Sequence, residues 1–161
     1  MIVIHKAKAE NVKDIKKLLF ETWTSVYSKT YPPEAIKIIT SEWHNPVLLT
    51  KQIQDPSILF IIAKENNTLL AMCNTNKVEG EIINIQRLHV IPKYQRRGIG
   101  SMLLEEVIRS FPKLKSIQLE VEKQNWQAIS FYHKHGFKKV GEKVFKISSI
   151  QMPSFVMEKK I

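Results

Sequence analysis

The chain has 161 residues, 43% apolar and 25% charged, with 25 Lys and Arg against 15 Asp and Glu, for a formal charge of +10. That balance fits one globular domain and argues against a disordered or low-complexity chain. A basic surface attracts polyanions (nucleic acid, an anionic membrane, a phosphorylated coenzyme) or serves solubility alone. Apolar residues nowhere run for the ~18 positions that a membrane-spanning helix needs, and the run Met1–Ile4 is too short for a signal peptide. Cys73 is the only cysteine, which excludes an intramolecular disulfide and suits a reducing compartment. The expectation is a soluble cytoplasmic protein with no membrane partner.

The β-branched run Ile2–Ala7 reads as a strand. Val12, Ile15, Leu18, Leu19, Trp23 and Val26 recur at helical spacing, which predicts a helix over Asn11–Tyr27. Tyr31-Pro32-Pro33-Glu34 stops that pattern and starts a second helix, Ala35–Trp43, because proline suits a first helical turn. Asn45-Pro46 starts a third through Ile53. Ser57–Lys64 and Leu69–Thr75 read as strands about a Glu65-Asn66-Asn67 turn. A turn at Val78-Glu79-Gly80-Glu81 leads to a strand over Ile82–Val90 whose alternation is imperfect, as in strands near the middle of a sheet. A helix over Ile99–Phe111 ends at Pro112, and Ser116–Val121 is a strand. Asn125–His135 is a helix with Asn125 as N-cap and Gly136 as its stop. Phe137–Ile150 and Ser154–Lys159 complete the strands of a mixed α/β domain spanning 1–161.

The chemistry is concentrated in Leu88-His89-Val90-Ile91-Pro92-Lys93-Tyr94-Gln95-Arg96-Arg97-Gly98-Ile99-Gly100-Ser101. A strand ends, a basic loop with two glycines follows, and an amphipathic helix begins. Unpaired N–H groups and the positive dipole end at a helix start form an anion site, and glycine lets a ligand approach the backbone. Arg96 and Arg97 add formal charge. No Gly-Lys-Ser/Thr follows, so this is not a P-loop, and no third glycine follows Gly100 at dinucleotide-fold spacing. By itself, Gly-x-Gly is equally a tight turn.

Gln95-Arg96-Arg97-Gly98-Ile99-Gly100 resembles the Gln/Arg-x-x-Gly-x-Gly/Ala signature of the GNAT N-acetyltransferase family. Asn125-Trp126-Gln127-Ala128-Ile129-Ser130-Phe131-Tyr132-His133-Lys134-His135-Gly136-Phe137 resembles the family's second landmark helix. Glu21-Thr22-Trp23 to Tyr31 and the ending Met157-Glu158-Lys159-Lys160 look most like the PaiA-type polyamine acetyltransferases. The resemblance implies a central twisted, mostly antiparallel sheet flanked by helices on both faces, and transfer of an acetyl group from acetyl-CoA to a primary amine. The acceptor stays open among a polyamine, another small amine, and a protein N-terminus or lysine.

Carried over by position, the resemblance assigns the pantetheine arm to the backbone of Leu88, His89 and Val90. It assigns the pyrophosphate to Gln95, Arg96, Arg97, Gly98, Ile99, Gly100 and Ser101. Asn125 would meet the pantetheine or acetyl region, Ser130 and Lys134 the nucleotide end, and Tyr132 the thioester sulfur as general acid. A tyrosine with an ordinary pKa near 10 is protonated at neutral pH and suits that role. Some relatives carry a glutamate base where this chain has Asn84. Glu81, Glu120 and His89 are candidate substitutes, or the amine loses its proton through ordered water.

Cys73 reads as a small core residue with no adjacent base. His133 and His135, two apart on a helix, point to different sides, and no metal site is expected. Trp23, Tyr27 and Tyr31 suit an acceptor pocket or a core equally. A polycationic acceptor would need a local acidic patch, from Glu21, Glu34, Glu42, Glu79 or Glu81, to offset the net charge. The competing classes are a non-catalytic coenzyme-binding regulatory module and a nucleic-acid binder, the latter without a recognition motif. The resemblance also leaves a homodimer open.

Overall fold

A computed structural model describes residues 1–76 and 80–161. The elements in chain order are β1 (Val3–Lys6), α1 (Val12–Tyr27), α2 (Pro33–Trp43), α3 (Pro46–Gln54), β2 (Phe60–Glu65), β3 (Thr68–Thr75), β4 (Ile82–Val90), α4 (Ile99–Ser110), β5 (Ser116–Glu122), α5 (Trp126–Lys134), β6 (Lys138–Ile147) and β7 (Ile150–Lys160). The expected turn at Val78-Glu79-Gly80-Glu81 falls partly outside the described residues. Helix starts follow the predicted chemistry. Pro33 opens α2, and the Asn45 Oδ1 accepts from the Val47 and Leu48 N–H groups at 2.8 and 3.1 Å to cap α3.

The sheet runs in the order β1-β2-β3-β4-β5-β7-β6. Every neighbouring pair is antiparallel except β4–β5, which the α4 crossover makes parallel. Helices α4 and α5 cover one face, packing Leu103, Val107, Ile129 and Phe137 with Ile83, Ile85, Ile117 and Leu119. On the other face, Ile15, Leu18 and Leu19 of α1 and Leu49 of α3 meet Phe60, Ile62 and Met72. Trp23 and Tyr27 meet α2, Ile147 and Met152. Burial on both faces explains why Phe60–Ala63 is apolar without alternation.

The imperfect alternation of β4 has a more specific cause than a central position. In the β3–β4 ladder Thr75 faces Ile85 and Asn74 faces Arg87, so Gln86 is an extra residue, a β-bulge. Before it, Ile83 and Ile85 face α4; after it, Leu88 and Val90 do. The bulge turns Arg87 to the opposite face, where it meets α2 and α3: its guanidinium donates to the Trp43 carbonyl and the Gln52 side chain.

The end of the chain corrects one expectation. The break between the last two strands lies at 148–149, with Ser148 at φ +54°, rather than around Pro153. Pro153 sits inside β7, paired with Val144. The β5 ladder ends at the Glu122–Ser154 pair, and just past it the Pro153 carbonyl accepts from Lys123 N–H at 2.9 Å, so proline stands where pairing with β5 stops.

Deleting Gln86 would remove the bulge and leave Arg87–Val90 on their present faces, because the Thr75–Ile85 and Asn74–Arg87 pairs would then be consecutive. The expected outcome is urea unfolding that stays cooperative in the deletion variant, while Gln86→Ala costs about 1 kcal/mol through the hydrogen bonds its side chain accepts from Asn74 and Arg87.

Candidate active site

Strands β4 and β5 pair only from Ile82–Ile85 against Ser116–Leu119. Beyond that point each leaves its facing edge unpaired by the other, and a cleft of about 1370 Å³ opens there. Its lining includes Leu88, His89 and Val90 of β4, Glu120 and Glu122 of β5, the start of α4, α5, and Trp23 and Tyr27 of α1. The cleft therefore passes through the sheet from the α4/α5 face to the α1/α2 face.

At the α4 end the loop is built for an anion. Gly98 is the N-cap residue, at φ +77°, and a Cβ there would meet nothing within 4 Å. The first α4 backbone bond is Met102 N–H to the Gly98 carbonyl, so the N–H groups of Ile99, Gly100 and Ser101 precede the helical ladder. Arg96, at φ +66°, also lines the cleft. Gly100 also serves packing: a Cβ there would lie 3.1 Å from the Phe131 ring, so its absence lets α5 approach α4. The Gln95 amide donates to the Val90 carbonyl at 3.1 Å and accepts from Gln127 at 2.8 Å, tying the loop to α5. One expectation is corrected here. The Arg97 side chain turns away, with two 3.1 Å bonds to Glu65.

Ser130 and Lys134 line the cleft as exposed residues of α5. His135 Nδ1 lies 2.8 Å from the Phe131 carbonyl, so this nitrogen carries the proton, and the Ser101 hydroxyl meets Nε2 at 2.9 Å. His133 is exposed.

Deeper in, Tyr132 is buried against Phe131 and Phe137. Burial, with smaller contributions from Cys73 and Tyr27, pushes its phenol pKa well above the ordinary value. The Asn125 side chain accepts from Ala128 N–H at 3.2 Å and donates to the Tyr27 hydroxyl at 3.4 Å. Tyr27 is likewise raised by burial, and Tyr31 is raised to about 12 by burial and the charge of Glu122. The Thr22 hydroxyl donates to the Leu19 carbonyl and contacts His89 Nδ1 at 3.3 Å. Burial and then Arg87 lower His89 to about 4. Cys73 lies wholly in the core with its thiol pushed up to about 12 by burial, which excludes thiolate chemistry at neutral pH.

Three buried side-chain atoms among the described residues lack a hydrogen-bond partner: Trp23 Nε1, His44 Nδ1 and Glu122 Oε1. All three residues line this cleft. Orphaned buried polar atoms are costly, and their concentration in one cavity marks a place prepared for a polar ligand.

Comparison with known proteins fits this geometry. The sequence pattern of the Acetyltransferase (GNAT) family matches residues 12–137. The chain belongs to the GNAT acetyltransferase family. It is 28% identical to the spermidine N(1)-acetyltransferase of Thermoplasma acidophilum, over 99% of this chain and 97% of that one. It is 28% identical to the N-alpha-acetyltransferase RimI of Mycobacterium tuberculosis, over 60% of this chain and 62% of the relative. The crystal structure of the PaiA N-acetyltransferase from Thermoplasma acidophilum, in complex with coenzyme A, superposes with a TM-score of 0.88, covering 100% of this chain and 99% of that one at 28% identity.

Within this GNAT fold the candidate bases separate. Glu81 is paired with Lys115 at 2.5 Å, outside the cleft lining. Glu120 lines the cleft, accepting from Asn84 at 3.2 Å and facing Lys143 at 3.5 Å. Glu21, Glu34 and Glu42 are exposed and off the cleft lining, so the acidic patch is not built from these three, and Glu79 lies outside the described residues. Glu122, absent from the sequence reading, is 4% exposed, and burial raises its carboxyl pKa. Its signal was legible: Ile117, Leu119 and Val121 face α4 and α5, so Gln118, Glu120 and Glu122 put two acids on the other face of a central strand. Among the described residues, no helix is long and apolar enough to cross a membrane.

His44 is 2% exposed, and burial, followed by Arg87, His89 and Lys16, holds it near 2. Its folded pKa lies below the unfolded value, so the unfolded chain binds the extra proton and stability falls as pH drops below about 6.5. Urea unfolding at pH 6.5 and 4.5 is expected to show His44→Phe losing about 2 kcal/mol less than wild type across that interval.

Proposed function

We propose that the protein transfers the acetyl group of acetyl-CoA to a cationic primary amine, with polyamines as the first acceptors to test. The observation that carries this is the cleft through the sheet, which joins a helix start rich in free N–H groups to a buried acidic and aromatic chamber. The likeness to proteins described as a spermidine acetyltransferase and as a coenzyme A complex supports both halves.

Acetyl-CoA supplies an activated acyl thioester. In this reading the N–H groups at 98–101, with Gln95 and Arg96, hold its pyrophosphate, while Lys134 and Ser130 lie toward the nucleotide. Gly98 fits that group, because its left-handed backbone leaves open space where a side chain would stand. The unpaired edge of Leu88, His89 and Val90 accepts the extended pantetheine arm, much as a sheet edge accepts an added strand. Asn125 orients the acetyl region. Tyr132 keeps its proton because burial raises its pKa, and donates it to the sulfur as the C–N bond forms and the C–S bond breaks; the proton shed by the amine passes to water, which restores the tyrosine. Holding both reactants in line removes much of the entropic barrier.

The net charge of +10 does not forbid a cationic acceptor. Salt screens distant charges over about 8–10 Å, whereas Glu120 and Glu122 act within the cleft. Arg87 lines the same cleft, but its guanidinium donates to Trp43, Gln52, Asn74 and Gln86.

Thiol release from acetyl-CoA is expected with spermidine and to depend on Tyr132. Tyr132→Phe should lower kcat by about 10²–10³ while leaving acetyl-CoA affinity within twofold. Absence of thiol release at millimolar spermidine, or an undiminished kcat in Tyr132→Phe, would contradict the reading.

A further inference from the structure

We propose that Glu122 is the seat of the acceptor's reacting ammonium group, which makes cationic amines, rather than neutral or acidic acceptors, the substrates of this enzyme. The assignment rests on the acetyltransferase reading above.

Glu122 ends β5 at the mouth of the α5 turn, 4% exposed, on the cleft wall. One oxygen, Oε2, accepts from the Gln124 backbone N–H at 2.8 Å. The other, Oε1, is buried and makes no hydrogen bond of its own, while the Tyr31 hydroxyl lies near enough to the carboxylate to interact with it. A buried carboxylate with an idle oxygen is unfavourable unless something arrives to satisfy it. The neighbouring cations are committed elsewhere. Lys123 is 2.5 Å from Glu142, Lys143 faces Glu120 at 3.5 Å, and Arg87 donates to neutral acceptors and the Trp43 carbonyl. Among the described residues no cation pairs with Glu122, which leaves that place to a cation from outside the chain.

The surroundings suit an alkylammonium. Tyr27 and Tyr31, with ring centroids 5.9 Å apart, stand near Glu122, and Tyr27 lines the cleft, where its aromatic surface can meet a cation's methylenes. Glu120 lies two residues back on the same face of the strand, about 6.6 Å along it. That carboxylate already holds an alkylammonium, the end of Lys143. A short diamine can place one nitrogen on Glu122 and displace Lys143 from Glu120 with the other. The ammonium gives a proton to water before its nitrogen attacks the thioester, and acetylation leaves a neutral amide, so the product is held less strongly by Glu122 and leaves more readily than the substrate.

The test compares wild type, Glu122→Gln and Glu122→Asp, using spermidine kinetics together with the thermal shift given by acetyl-CoA. Glutamine retains an oxygen for the Gln124 N–H, so the turn is preserved. The expected result is an unchanged acetyl-CoA shift in all three, a spermidine KM raised about ten- to a hundredfold in Glu122→Gln with a smaller change in kcat, and partial recovery in Glu122→Asp. An unchanged KM in Glu122→Gln, or a loss confined to kcat, overturns the ammonium seat while leaving the acetyltransferase intact. Loss of the acetyl-CoA shift in Glu122→Gln also overturns it, since the residue would then shape the coenzyme site. A wild type that binds acetyl-CoA yet acetylates neither spermidine nor any amine of a mono- and diamine panel refutes the parent reading and this assignment together.

Discussion

The structure depends on the parting of β4 and β5. Their parallel ladder lasts four residue pairs, Ile82 with Ser116 to Ile85 with Leu119, and then stops. Backbone groups inside a protein are almost always paired, so a strand edge that opens inside a sheet invites a ligand. The Gln86 bulge lies at this point. It keeps β4 hydrogen-bonded to β3 through Val90 while swapping which side chains face which layer. Arg87, bonded to Trp43 and Gln52, then pins the parted strand to α2 and α3.

The gap joins two environments of opposite electrostatic character. At one end stand the α4 dipole, its free N–H groups, Arg96 and Lys134. At the other stand Glu120, Glu122 and a cluster of aromatic rings. Between them Asn125 caps α5 and reaches Tyr27, while Tyr132 is held by Phe131 and Phe137. On the proposed reading, the arrangement separates phosphate binding from amine binding on a chain whose net charge alone would favour only the first.

Much of this was legible in sequence because it is local. Caps at Asn45 and Asn125, Pro33 at a helix start, and the Gly98–Gly100 segment each act within a few residues. What was hidden is non-local. The bulge at Gln86 is defined by its pairing with β3, and Arg97 is diverted by Glu65, 32 positions away. Pro153 looks like a strand breaker until β5 is known to stop short of it. Gly100 reads as a ligand contact, and a further constraint on it comes from Phe131. For Glu122 the alternation of β5 gives the face, while its burial is set by the residues packed around it.

The central claim is that the coenzyme's phosphates lie on the α4 start, and a thermal shift with acetyl-CoA on wild type and Gly98→Asp tests it most directly. Aspartate tolerates the left-handed backbone better than most residues and meets no neighbour there, so the variant should fold at a cost of about 1 kcal/mol. Its carboxylate would confront a bound pyrophosphate. A ligand that binds the native state raises its Tm with concentration. The account predicts a concentration-dependent rise for wild type and little or none for Gly98→Asp. An equal rise in both proteins, or none in folded wild type, would contradict it.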